Sequence, residues 1–194
     1  MRKVIVSNII SLDGYFTGSD NNVMVMPFDY GFDDYNAERL RSATTLLLGR
    51  SSFEGFKSYW PGVVDDPNAD STNREISRLN NAIDKVVISD TLTADQTAPW
   101  TNTRIIPRAD AHKEIAALKR EEGGDILVFA SHKLWNDLLV HDVVDELHLM
   151  VGPSLLGNGV PVFENPTSVR LNMIAPPRTW ENSSLVLLRY QVTD

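Results

Sequence analysis

Gly49, Arg50, Ser51 and Ser52 follow one another directly after an apolar run, in the stretch Thr44 to Phe56 that reads TTLLLGRSSFEGF. Their types are those of an anion seat. Gly49 lets the backbone approach a ligand closely, the two hydroxyls can donate hydrogen bonds, and the planar fork of Arg50 suits a phosphate. An ordinary strand-to-helix turn with Ser51 or Ser52 as N-cap would use the same residues. A Walker A loop is excluded, because no Gly-Lys-Ser/Thr follows. Other chemistries find less support. No Gly-x-Ser-x-Gly elbow is present, and His112, His132, His141 and His148 are scattered without convincing metal spacing to a carboxylate, so no metal site is expected. His141 and Asp145 could share a helix face, but that segment is expected to unwind before the next strand.

Positioning an anion seat requires strands that end together and helices that begin there. Val4 to Ile10 is a β-branched run that ends at Asp13-Gly14, a turn pair. Residues 21 to 32 mix Met24, Met26, Phe28 and Tyr30 with Pro27 and Gly31, which suits a lid-like loop. Asp33 to Ser42 reads as a helix with Arg39 and Arg41 in its last turn, followed at once by a strand from Thr44 to Leu48. A short helix over about 51–57 and a turn-rich loop from Tyr59 to Asn68 come next. Thr72 and Glu75 have capping-box spacing before the helical repeat of Ile76, Leu79 and Ile83.

Further strands are expected at Lys85 to Ser89, Arg104 to Pro107, Ile126 to Ala130 and Glu146 to Val151. Helices over 110–121 and from His132 to Val140 separate them, the second capped by Ser131. Val169 to Ile174 and Leu185 to Val192 read as a hairpin-like finish. Strands alternating with helices before an antiparallel end predict an α/β fold with helices on both faces of a mixed sheet.

The bulk numbers narrow the class of partner. With 194 residues and 42% hydrophobic content, the chain can bury one core and is expected to form one domain, residues 1 to 194. A net charge of -8 argues against nucleic acid or an anionic membrane, so any phosphate must be held locally. Zero cysteines remove disulfides, thiolate metal sites and a cysteine nucleophile together. The start MRKVIVSNIISLDGY reads as a strand rather than a leader, and a cytoplasmic protein is expected.

Five stations fall into a known order: SLDGY at 11–15, LLLGRSSFEGF at 46–56, KVVIS at 85–89, ILVFASHKLWNDLL at 126–139 and DELHLMVGPSLLGNGVPVF at 145–163. Together they resemble the dihydrofolate reductase-like superfamily, and within it the reductase domain at the C-terminus of the riboflavin-biosynthesis deaminase-reductase. The resemblance covers nearly the whole chain. It implies a three-layer α/β/α domain with a mostly parallel sheet and an antiparallel C-terminal hairpin. A deaminase module is not expected, since that zinc domain needs cysteines.

The resemblance also implies NADPH as cofactor. Gly49, Arg50 and Ser52 would hold its phosphates, with Arg50 favouring NADPH over NADH, and Ser89 would flank the adenosine phosphate. Ser11, Leu12, Asp13 and Gly14 would lie beside the nicotinamide, and Trp135 would stand near the same side of the cleft. The family's Gly-Gly turn, which binds pyrophosphate, aligns with Ala130-Ser131, followed by Lys133. Ala130 is a departure, since its Cβ burdens a cis or left-handed turn. Asp33 falls where folate-reducing members keep a buried acid. A helix cap or dipole partner would also be acidic there, and Asp34 could take either role through a one-residue slip.

Hydride transfer needs no protein nucleophile, which fits the sparse acid-base inventory. The resulting expectation is an NADPH-dependent reductase of a small polar heterocycle, such as a pyrimidine or pterin. A non-catalytic NADPH- or ligand-binding module is the alternative. A homodimer is expected, through the apolar C-terminal strands and Trp180.

Overall fold

Apolar residues on successive strand positions point to opposite faces, and this chain fills both. Leu46, Leu48, Val87, Leu127 and Phe129 turn to one side, Leu47, Val86, Ile88, Ile126 and Val128 to the other. A sheet with two apolar faces must be covered twice. The computed structural model, which describes residues 1–164 and 168–193, shows that cover as two layers of helices.

The order begins with β1 (Val4–Ile10), β2 (Tyr15–Thr17), α1 (Tyr30–Ser42), β3 (Ala43–Gly49), α2 (Arg50–Val63), α3 (Ser71–Ala82), β4 (Asp84–Ile88) and β5 (Thr103–Ile106). It continues with α4 (Ala111–Leu118), β6 (Asp125–Phe129), α5 (His132–Val140), β7 (Glu146–Val151), β8 (Val160–Pro161), β9 (Arg170–Met173) and β10 (Val186–Thr193). The 8-stranded sheet runs β5-β4-β3-β6-β1-β7-β10-β9. The first six strands are parallel, and β10 and β9 close the sheet antiparallel, as the sequence predicts. Ala37, Leu40, Phe53 and Ile76 bring α1, α2 and α3 onto one face, and Ile115, Leu118, Trp135 and Leu138 bring α4 and α5 onto the other. No described helix is long and apolar enough to cross a membrane.

Several local expectations are corrected. Helix α2 runs on through Pro61 to Val63, where a loop was expected from Tyr59. Pro61 lies in the last turn, so its missing N–H forfeits one bond, while Phe53 and Val63 bury on the same helix. The segment 21–32 contains a short 3-10 turn, Val23–Val25, and the start of α1, which Asp29 caps by accepting from the Gly31 amide at 2.9 Å. Thr72 and Glu75 form no capping box. Asp70 caps α3 instead, accepting from the Asn73 amide at 2.8 Å, because Glu75 is taken by a bidentate pair with Arg41 at 2.7 Å.

Candidate active site

In a parallel sheet every strand ends on the same edge, and that edge is where the loops between layers open a crevice. Ser89 follows β4, Gly49 ends β3, Ala130 follows β6 and Ser11 follows β1. These four strands are consecutive neighbours in the sheet. Four boxes spread over more than a hundred residues of sequence therefore end along one line.

At the centre, α2 and α5 start side by side from the adjacent strands β3 and β6. The first-turn amides of a helix have no internal acceptor and carry a partial positive charge. Here neither N-cap residue, Gly49 or Ser131, turns a side chain onto them. Ser51 and Ser52 lie inside α2, so neither is its N-cap, while Ser131 stands at the N-cap position of α5 as expected but without a capping bond from its hydroxyl. The Ser131 hydroxyl instead accepts the Gly49 amide at 3.1 Å, and the Ser131 amide donates to Ser52 Oγ at 2.9 Å. This cross-bracing fixes one helix start against the other and leaves the Ser52 proton free to donate. A Cβ added at Gly49 would meet only Leu134 Cβ, at 3.9 Å, so the position opens into space rather than into protein. The donor set and that opening fit a pyrophosphate.

Ala130 and Ser131 both adopt left-handed backbone, φ 47 and φ 46, so the turn keeps a left-handed form despite its side chains. Asn8 Nδ2 donates to the Ala130 carbonyl at 3.4 Å. Lys133 is exposed at the start of α5, without a carboxylate partner among the described residues. Arg50 is gripped by Glu54 at 2.8 Å and by the Thr91 hydroxyl, so its guanidinium reaches across to the loop after β4. Thr91 is a contributor that no sequence signal marked. The Ser89 hydroxyl builds the same loop, accepting from the Thr91 and Leu92 amides at 3.2 and 3.0 Å.

At the end of β1, Asp13 is an organiser of backbone. Its carboxylate accepts from the Ser11 hydroxyl at 2.6 Å and from the Leu156 and Gly157 amides at 3.0 and 2.8 Å, and these bonds hold it below the usual carboxylate range. Gly14, at φ 83, lets the chain reverse. Gly159 of the last sequence box is required sterically, because a Cβ there would fall 2.1 Å from the Thr17 carbonyl. That close approach makes the small second sheet of β2 and β8. His132 braces the same wall, stacking on Phe16 at 4.6 Å and facing the Pro161 and Val162 carbonyls at 2.9 and 3.0 Å.

Asp33 lies in the first turn of α1, half-buried, with its carboxylate accepting from Asn73 of α3 at 3.2 Å. Burial raises its pKa to about 6, and the nearby Asp70 and Asp29 add to the rise while Asn73 opposes it. Among the described residues, none of its hydrogen bonds reaches the strand-end cluster. Asp34 is committed elsewhere: it accepts from Arg178 and Trp180 Nε1, both at 2.7 Å, so the one-residue slip would replace a proton carrier with a structural ion pair. Trp135 is fully buried in the core under α5, and not a wall of the cleft. Trp180 packs edge-on to Tyr35 of α1.

Residues 2–179 match the family model described as RibD C-terminal domain. The chain is 31% identical over 165 residues to the uncharacterised protein YyaP of Bacillus subtilis, covering 84% of this chain and 80% of that one. Its fold is similar to that of a putative riboflavin biosynthesis protein from Shewanella, with TM-score 0.67, 22% identity and 99% of each chain covered. It is also similar to dihydrofolate reductase from Enterococcus faecalis complexed with NADP(H), with TM-score 0.60, 15% identity and 99% and 97% of the two chains covered. The strand-end cluster thus sits on a reductase-type fold, and the chain belongs to the RibD C-terminal domain family.

Proposed function

We propose that this protein is an NADPH-dependent reductase that transfers hydride to a C=N or C=O group of a small polar heterocycle. The observation that carries the reading is the pair of helix starts at Gly49 and Ser131, cross-braced on adjacent strands with no side chain capping either. Their amides, the Ser52 hydroxyl and Lys133 would hold the pyrophosphate, and Arg50 with the Ser89 loop would take the adenosine 2′-phosphate. NADPH supplies the hydride when bound. The loop built by Ser11, Asp13 and Gly14 would align the reduced ring and shield it from water.

Asp33, with its pKa near 6, is the group suited to hold a proton for the substrate. The support from relatives is a family membership and a fold shared with a dihydrofolate reductase that binds NADP(H). The proposal extends to a cytoplasmic location, which a chain without cysteines suits.

The test is a titration with NADPH followed by tryptophan fluorescence, then turnover with pterin, aminopyrimidine and quinone acceptors. Saturable binding and acceptor-dependent NADPH oxidation are expected. Binding without oxidation of NADPH by any acceptor would favour the binding module, and failure to bind would remove both readings.

A further inference from the structure

Away from the crevice, on the outer surface of the α4–α5 layer, three potential metal ligands converge. His112 sits at the start of α4, and Asp137 and His141 lie one helical turn apart at the end of α5. One donor atom from each lies within 4.8 Å of the other two, and the two imidazole rings stack at 4.1 Å. Sequence spacing could not reveal the group, because His112 and Asp137 are brought together only by packing of the two helices.

The hydrogen bonds define which atoms are available. His141 Nδ1 lies 2.8 Å from the Asp137 backbone carbonyl and 3.5 Å from Asp137 Oδ1, so in this pose Nδ1 donates, and a turn of the exposed ring presents the Nε2 lone pair to a cation. A ligating histidine is oriented by that kind of outer bond. His112 Nε2 points at Asp137 Oδ2 at 2.7 Å, so in the metal-free protein its proton occupies the place a cation would take. The residues are about half exposed, leaving room for water to complete a coordination shell. The end of α5 also directs the negative pole of its dipole toward the site.

We infer that His112, Asp137 and His141 form a binding site for a borderline divalent transition metal such as Zn2+, which clamps α4 to α5. Two imidazoles and one carboxylate plus water are a zinc donor set, and they disfavour Mg2+ and Ca2+, which demand oxygen. In a tetrahedral zinc site the donor atoms lie about 3.4 Å apart. The His112–Asp137 pair must therefore open from 2.7 Å while the wider separations, at most 4.8 Å, close by up to about 1.4 Å, which exposed side chains achieve by small rotations.

Tagless, metal-stripped protein titrated with ZnCl2 in a calorimeter tests the inference, with MgCl2 as control. One Zn2+ per chain at micromolar affinity is expected, with no heat from Mg2+. His112→Ala and His141→Ala, each on a different helix, should each weaken binding at least about tenfold. Saturating Zn2+ should raise the melting temperature of the wild type by about 4 °C or more, and of neither variant. Circular dichroism of the metal-free variants verifies folding, and if one is unfolded the other decides. Absence of Zn2+ binding, or binding that the folded variants retain undiminished, would overturn the site.

Discussion

Arg50 and Asp33 are the two side chains whose chemistry the reductase reading needs most, and each can be set against a magnitude. The exposed i,i+4 pair of Arg50 with Glu54 contributes about 0.3–0.5 kcal/mol, well below a charge-assisted phosphate bond. A bound phosphate would therefore displace Glu54. Arg50→Ala is expected to weaken NADPH binding by about 1–3 kcal/mol and to leave NADH affinity nearly unchanged, as read from parallel fluorescence titrations. Equal losses for both dinucleotides would place the guanidinium away from the 2′-phosphate.

For Asp33 the folded pKa of about 6 lies above the ordinary 3.8. Burial therefore favours the protonated folded form, and the stability present below the unfolded pKa is lost as pH rises from about 4 through 6. The full shift corresponds to about 3 kcal/mol, which partial exposure and screening reduce to about 1–2 kcal/mol. Asp33→Asn should stabilise the protein by that amount at about pH 7.5 and much less at about pH 4, measured by urea unfolding. A gain independent of pH would show that the carboxyl titrates normally.

At the scale of elements, the turn between β6 and α5 holds two non-glycine residues in left-handed backbone, at a cost of order 1 kcal/mol or more each. Ala130→Gly removes the Cβ without touching a hydrogen bond, since Asn8 reaches the carbonyl. It should stabilise the protein by about 1 kcal/mol in urea unfolding and leave NADPH affinity equal or tighter. Destabilisation would mean that the Cβ packs usefully there.

The same turn illustrates what sequence could and could not reveal. Left-handed strain at Ala130 was legible from its departure from the Gly-Gly pattern. The N-cap position of Ser131 was legible, but the partner of its hydroxyl was not, because that acceptor role depends on Gly49, 82 residues away. Long strands such as β1 and β3 declare themselves through β-branched or apolar runs. The two-residue β8 is too short for any periodicity, and its existence rests on Gly159 letting it meet Thr17. Thr91 of the site was silent for a similar reason: a single hydroxyl in a loop gains meaning only when Arg50 reaches it.

For the molecule as a whole, the sheet has two ends and they differ. One edge is β5, and the other is β9, whose residues Arg170–Met173 are all exposed. Among the described residues no strand pairs with the outer side of β9, which leaves edge N–H and C=O groups open to a partner, and Leu171, Met173 and Ile174 add apolar surface beside it. Trp180, expected to contribute to a two-fold interface, packs on α1 and bonds Asp34 while staying half-buried, and the apolar edge itself is carried by β9. We propose that two copies pair isologously across this edge, so that each contact occurs twice about one axis. Light scattering should then give twice the mass of the chain. Leu171→Glu would place a charge at the apolar edge in each copy, opposed to its own symmetry mate or left desolvated, and should shift the equilibrium to monomer. Because β9 is far along the sheet order from β3 and β6, the monomer should keep its NADPH affinity. A wild type that scatters as a monomer would refute the edge pairing, and a monomeric Leu171→Glu variant that no longer binds NADPH would show that the crevice depends on the second copy.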